Sequence, residues 1–431
     1  MTNTRRDFIR NGLTFVSLGM TAPASLARAA AEAGSGAERA QSNGGNILVV
    51  LQMFGGNDGL NTVIPYTDPL YYSNRPTIGL HKADILPISD KIGLHPNMKP
   101  FQDLYKKGRL AIVQGVGYPN PNLSHFRSTE IWQTADPVST VVQEGWLGRY
   151  FDDYGHIRTN PLDGINIGGE LPKTLYSDYG SVVSMQNPAA FRLQPLYPYE
   201  QSAEVQAFLS LYSKGTAARN AKDLVKRIGM DAYTSSEKIQ KALTTEQDNS
   251  PTPGTAYGQS LEVSYPAAAN GRPSALADSL HTIVKLIAAD MGTRIFYVST
   301  GGYDTHANQR PTQDKLLADL AASIAAFFGE LEQKGLADKV TLLTFSEFGR
   351  RVQENASAGT DHGTASSLFV VGGSVKGGLY GEYPALDDLN MGNFKFTTDF
   401  REVYATMLDK WLKVSSAKIL EGSFNTLPLF G

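Results

Sequence analysis

Asn46-Ile47-Leu48-Val49-Val50-Leu51-Gln52-Met53, followed at once by Phe54-Gly55-Gly56-Asn57-Asp58-Gly59, is the stretch whose reading decides the fold. Ile47 to Leu51 is an unbroken apolar run inside a segment of strand length. A strand with one wet face alternates with period two, so an unbroken run predicts a strand covered on both faces, as in a parallel sheet. Similar runs recur at Leu110–Val116, Arg294–Thr300, Val340–Phe345 and Leu368–Val371. Helical patterns separate them at Asn97–Lys107, Ser124–Thr134, Glu144–Tyr154, Leu276–Met291, Gln313–Lys334 and Thr398–Leu412. That alternation predicts an α/β fold, with helices flanking a mostly parallel central sheet.

Residues 200–260 break the rhythm. Glu204–Tyr212 and Ala217–Leu243 have helical patterns, and 248–258 is a loop rich in Ser, Pro, Thr and Gly. They read as a helical insertion in a single α/β domain over 46–431, placed over one edge of the sheet. No internal repeat is present.

In open α/β sheets, ligands bind beyond the carboxyl ends of the strands. Polar clusters follow the apolar runs here. After the first run comes Gly55-Gly56-Asn57-Asp58; after the second, Asn120-Pro121-Asn122-Leu123-Ser124-His125. The third is followed by Gly301-Gly302-Tyr303-Asp304-Thr305-His306, and the fourth by Ser346-Glu347-Phe348-Gly349-Arg350. Gly359-Thr360-Asp361-His362-Gly363 stands just before the fifth. Four of these five clusters hold Asp or Glu and three hold His. Carboxylates at one sheet edge suit magnesium, calcium or manganese, and added imidazole brings in zinc. Asp304 and His306 alternate, so in extended backbone both point to one side. Each piece also has a plain structural use. Asp58 and Ser124 suit helix caps or turns, Asp361-His362-Gly363 suits a turn, and Glu347 with Arg350 suits an ion pair. The coincidence of clusters at strand ends favours a site. His81, His95, His156 and His281 lie in no such cluster and read as surface or packing residues. There is no G-x-S-x-G elbow, Walker A loop, G-x-G-x-x-G fingerprint or H-E-x-x-H.

At the N-terminus, Thr4-Arg5-Arg6-Asp7-Phe8-Ile9 fits a twin-arginine signal. A short apolar stretch, Leu13 to Met20, and Ala27-Arg28-Ala29 as a small-x-small cleavage pattern complete it. Residues 1–29 are read as that signal and 30–45 as a flexible lead-in, which predicts export to the periplasm or beyond with the Tat translocase as partner. The apolar stretch is too short to span a bilayer, and no later one is long enough, so no stable membrane insertion is expected. Cysteine is absent, which excludes disulfides and thiolate metal sites. The first 29 residues hold four arginines and one aspartate of the chain's 39 basic and 42 acidic residues. The remainder therefore carries a net charge of −6, which argues against a general nucleic-acid partner.

The signal, Gly55 to Thr62 (Gly-Gly-Asn-Asp-Gly-Leu-Asn-Thr), Ser124-His125-Phe126, Gly302 to His306, Ser346 to Arg350 and Asp361-His362-Gly363 together resemble the bacterial domain-of-unknown-function family 1501. The resemblance spans essentially the whole chain after the signal. It implies a fold related to the alkaline phosphatase and sulfatase superfamily and a hydrolase-like metal site. On that resemblance Asp58 is a first metal ligand and Ser124 the nucleophile. Asp304 with His306, Glu347 and His362 would complete the metal set. Phe348 departs from the pattern, standing where a second metal-binding His is expected.

The resulting expectation is an exported, metal-dependent hydrolase of a phosphate or sulfate ester on a small molecule or polysaccharide. Asp58, Asp304, His306, Glu347, Asp361 and His362 would hold metal, Ser124 would attack, and Arg350 or His125 would stabilise developing negative charge. The competing expectation is a non-catalytic binding or assembly protein on the same scaffold.

Overall fold

A computed structural model of the chain describes residues 45–139, 142–155, 160–178, 182–192, 201–212, 221–245, 264–266 and 273–431. The signal of residues 1–29, most of the lead-in, His156 and the 248–258 loop lie outside the described residues. The chain divides into two compact units. One is built from Gly45–Val142, Gly258–Val284 and Ile295–Gly431; the other contains Gln143–Tyr257 and Lys285–Arg294.

The first unit carries the central sheet. Its strands are β1 (Ile47–Met53), β2 (Leu110–Gly117), β3 (Ile295–Thr300), β4 (Val340–Phe345), β5 (Ser366–Gly372), β6 (Gly378–Tyr380) and the short β7 (Thr398–Asp399). Their order across the sheet is β6-β2-β5-β4-β1-β3, with β7 paired to β2. β1 is parallel to both neighbours, and Val50 stands opposite Leu343 on one side and Tyr297 on the other. Only β5 runs against its neighbours, β2 and β4. The sheet is thus mostly parallel, as the apolar runs predict. Leu48, Val49, Val50 and Leu51 are all fully buried, so both faces of β1 are covered.

Helices α1 (Lys99–Lys106), α2 (His125–Thr134), α3 (Gln309–Gln333) and α4 (Phe400–Thr406) belong to this unit. α3 buries Leu317, Leu320, Ile324, Phe327, Phe328 and Leu331. It starts four residues before the apolar pattern begins, because Gln309 and Gln313 are buried polar residues tied to Asp58. α4 starts later than its pattern because Thr398 and Asp399 pair with β2. Asp399 then caps the helix by accepting from the Arg401 amide.

The second unit contains the helices Trp146–Asp153, Gln201–Tyr212 and Ala221–Thr245 and a parallel strand pair, Gly164–Ile167 with Val183–Met185. Phe208 is fully buried there and stacks on Tyr212. The strands are only four and three residues long, too short to carry a period in the sequence.

Among the described residues, no helix is long and apolar enough to cross a membrane.

Candidate metal centre

β1, β3 and β4 run in the same direction and end at one sheet edge. β5 runs the opposite way, so it begins where its neighbours end. Topology therefore gathers Phe54–Asp58, Gly301–His306, Ser346–Arg350 and Asp361–Thr364 at that edge. The start of α2 joins them: His362 Nδ1 lies 2.8 Å from the Leu123 carbonyl, two residues before α2 begins.

Two glycines after β1 make the convergence possible. Gly55 and Gly56 have φ of +122° and +75°, and a Cβ on either would lie 2.4 Å from the Asp304 amide or the Phe348 ring. No other residue fits both the conformation and the space. Their carbonyls accept from Arg350, whose Nε donates to Gly56 at 2.6 Å and whose Nη2 donates to Gly55. Arg350 also donates to the Tyr303 carbonyl at 3.2 Å, the Thr360 carbonyl at 2.8 Å and Asp304 Oδ1 at 2.7 Å. It is only 2% exposed. The expectation that Arg350 meets a reacting ester is thereby corrected. Its donors face backbone, Asp304 and the His306 ring, and it positions three loops.

Three imidazoles point at Asp304. His306 Nε2 is 3.0 Å and His362 Nε2 is 3.2 Å from Asp304 Oδ1; His125 Nε2 is 3.5 Å from Oδ2. The Nε2 atoms of His306 and His362 are 2.9 Å apart. In each ring the other nitrogen is taken. A carbonyl only accepts, so His362 must donate Nδ1–H to Leu123, leaving Nε2 with its lone pair. His125 Nδ1 meets Glu347 Oε1 at 2.7 Å, and His306 Nδ1 meets Asp361 Oδ1 at 3.4 Å. Arg350 Nη1, which only donates, approaches His306 Nε2 at 3.4 Å. All three Nε2 atoms thus converge on the Asp304 carboxylate, where a cation would take their lone pairs. Burial works to raise the Asp304 carboxyl, but the hydrogen bond from Arg350, its charge and the two imidazoles hold it down at about 2. It is an anion at any neutral pH.

Ligand atoms of His125, Asp304 and His362 all lie within 4.8 Å of one another, as a single cation requires. His125 Nε2 is buried and has no hydrogen-bond partner, an orphan that a bound cation would satisfy. The donor set of imidazole nitrogens with one carboxylate suits zinc or manganese better than calcium or magnesium.

The residues singled out from sequence fall in different places. Asp304, His306 and His362 come together. Glu347 and Asp361 stand behind His125 and His306 instead, as carboxylates that fix a ring's tautomer. Glu347 is fully buried and also accepts the Gly55 amide at 2.9 Å. Asp361 is held below the usual carboxyl range by the Asn355 amide and by His306. Asp58 is elsewhere engaged: it caps the helical turn Gly59–Thr62 and pairs with Arg75, both side chains buried. Its other contact to Oδ2 is Gln309 Nε2 at 2.5 Å. It has no place in the ligand group.

His125 is the ligand that sequence reasoning assigned to another role. The available signal was its place at the start of a helix beside a polar loop. Ser124 is exposed at the N-cap of α2, and its side chain makes no capping bond. Phe348 is 2% exposed and packs against both His125 and His362, with ring centroids 4.8 and 4.6 Å away. It occupies apolar space beside the imidazoles and supplies no donor atom.

Residues 46–419 match the family described as protein of unknown function (DUF1501). The chain belongs to this family. No curated protein matches. Several solved structures are similar at low identity. A sulfatase from Pseudoalteromonas sp. is 12% identical, with a TM-score of 0.39 over 97% of this chain and 74% of that one. A protein in the alkaline phosphatase superfamily from Vibrio parahaemolyticus is 8% identical, with a TM-score of 0.40 over 95% and 79%. A phosphonate monoester hydrolase from Silicibacter pomeroyi is 9% identical, with a TM-score of 0.38 over 89% and 76%.

Proposed function

We propose that this member of the family is a metal-dependent hydrolase of phosphate or sulfate esters, exported by the twin-arginine route. The observation that carries the reading is the convergence of three Nε2 atoms on the Asp304 carboxylate, each ring's Nδ1 already engaged. A divalent cation held there supplies Lewis acidity toward an anionic ester. The chain's own groups do the rest. Glu347 keeps His125 in the tautomer that offers Nε2. Arg350 fixes the Asp304 carboxylate and the two glycine carbonyls. Ser124, free of any capping bond and next in sequence to His125, offers its hydroxyl as nucleophile. The N-terminal amides of α2 favour an anion beside it.

A second reading rests on ligand count. Three His and one Asp would make a closed, four-coordinate site, the pattern of structural zinc, whereas a catalytic site keeps one position open. The closed count needs His306, which is the most exposed of the three imidazoles, 44% against 19% and 23% for the side chains of His125 and His362, and which stands outside the group of His125, Asp304 and His362 whose ligand atoms lie within 4.8 Å of one another. Turnover of phosphate and sulfate monoesters by the metal-loaded protein tests the hydrolase reading. Activity that falls at least 100-fold in Ser124→Ala with metal retained supports it; no turnover of either ester class, with metal bound and released only on unfolding, supports the structural site. Export rests on Arg5 and Arg6. Replacing both by Lys should leave the protein in the cytoplasm, and normal periplasmic accumulation of that variant would refute the route.

A further inference from the structure

Apart from the candidate metal centre, the first unit holds a second concave site, a cavity of about 530 Å³, within the range of small-molecule sites. Phe348 and Leu123 wall it off from the imidazoles, and none of the centre's His or Asp residues lines it. Two stiff segments form it. One is the loop after β2, where Asn120 stands between Pro119 and Pro121 with φ of +55°. The other is a hairpin of Leu389–Asn390 and Asn393–Phe394, closed by Met391 and Gly392 with φ of +51° and +79°. Proline fixes φ, and two left-handed turn residues are what a tight hairpin requires, so both walls are preformed.

The polar groups of the lining are mostly amides with spare hydrogen-bonding capacity. Asn120 and Asn390 are exposed, and among the described residues neither side chain has a hydrogen-bond partner. Asn393 is 7% exposed; its Nδ2 donates to the Met391 carbonyl at 3.4 Å, and its Oδ1 is buried with no partner. Lys395 brings the lining its charge and pairs with Asp388. Apolar surface lies between these groups. Phe396 and Met391 are 39% and 88% exposed, and Tyr118 offers its ring alone, since Ser128 and the Asn122 amide use its hydroxyl. Each amide presents a donor and an acceptor together. An anion brings only acceptors and would leave the buried Asn393 Oδ1 facing a like dipole; a plain arene would leave the amides unmatched. An extended peptide pairs with a strand edge, and the hairpin strands are two residues each. A sugar hydroxyl both donates and accepts, and the C–H face of the ring packs on an aromatic side chain.

We propose that this cavity binds a neutral sugar unit of a glycan, with Asn120, Asn390 and Asn393 taking its hydroxyls and Phe396 its C–H face. The site stands on its own residues and does not depend on the ester reading of the metal centre. It is tested by calorimetric titration of the full mature protein, with and without a chelator. The probes are neutral tetrasaccharides of gluco, manno, galacto and xylo configuration, with tetra-alanine and inorganic phosphate as controls. At least one saccharide should bind one to one, with the same affinity in both forms. Asn390→Ala and Phe396→Ala, both changes of exposed side chains, should each weaken that binding by about 10-fold and leave metal content and melting temperature unchanged. Asn393→Leu should weaken it at least as much. Failure of all four saccharides to bind, or affinity unaltered in both folded variants, would overturn the proposal. So would saccharide binding that disappears with the metal, or tighter binding of tetra-alanine or phosphate than of any saccharide by the metal-free protein.

Discussion

Asp58 and Arg75 form an ion pair with both side chains sealed from solvent, 1% and 0% exposed. Arg75 completes its shell with the Val352 carbonyl at 2.9 Å and the Arg351 carbonyl at 3.0 Å, so the pair ties the loop after β1 to the segment before β5. Removing one partner of such a pair leaves a buried charge unpaired and costs about 3–5 kcal/mol. Asp58→Ala should therefore shift the denaturant midpoint strongly, and Asp58→Ala with Arg75→Met should cost less than the sum of the single changes. Metal per folded chain should not change. Loss of metal from a folded Asp58→Asn protein would restore Asp58 to the ligand set.

The central sheet was legible because β1 to β5 are buried on both faces, and such strands appear as unbroken apolar runs. The edge was legible too, since its glycines and carboxylates follow those runs directly. Roles within the cluster were not. Asp58 and Asp304 both follow a strand within a Gly-rich loop, and only three-dimensional partners separate them: Arg75 lies 17 residues on and Gln309 lies 251 residues on from Asp58. Glu347 reads as a ligand by type, and becomes the support of His125 through a contact across 222 residues. The two short strands of the second unit carry too few residues for any period to show.

Glu347 acts on the centre through His125, whose Nδ1 it meets at 2.7 Å. Support of this kind typically changes metal affinity by about 10–100-fold. Glu347→Gln should weaken zinc binding by that factor in a competition titration with a chromophoric chelator. An unchanged dissociation constant would mean that His125 is not a ligand.

The second unit contains a pH-sensitive group. Burial, the hydrogen bond with Asp178 and the nearby charges of Asp178 and Asp152 raise the Glu144 carboxyl to about 7. A carboxyl raised on folding favours the protonated form. Its stabilising effect is complete below the unfolded value of about 4.5 and is lost as pH rises through about 7. Thermal unfolding should therefore show stability falling between about pH 4.5 and 7 from this group. Glu144 is half-buried, so solvent screening limits the effect to about 1 kcal/mol. Glu144→Gln should flatten that slope and raise the melting temperature at pH 8; an unaltered slope would contradict the assignment.

The most direct measurement is elemental analysis of the purified mature chain, for zinc and manganese separately, alongside melting with and without a chelator. A centre built on His125, Asp304, His306 and His362 predicts about one metal per chain and a melting temperature that falls on chelation, since a ligand bound only by the native state stabilises it by mass action. His125→Ala and His362→Ala should each lose most of the metal and most of the chelator effect, while exposed His81→Ala keeps both. A wild-type chain that holds no metal after incubation with excess zinc and manganese, and melts identically with chelator, would contradict the metal centre and the hydrolase reading with it.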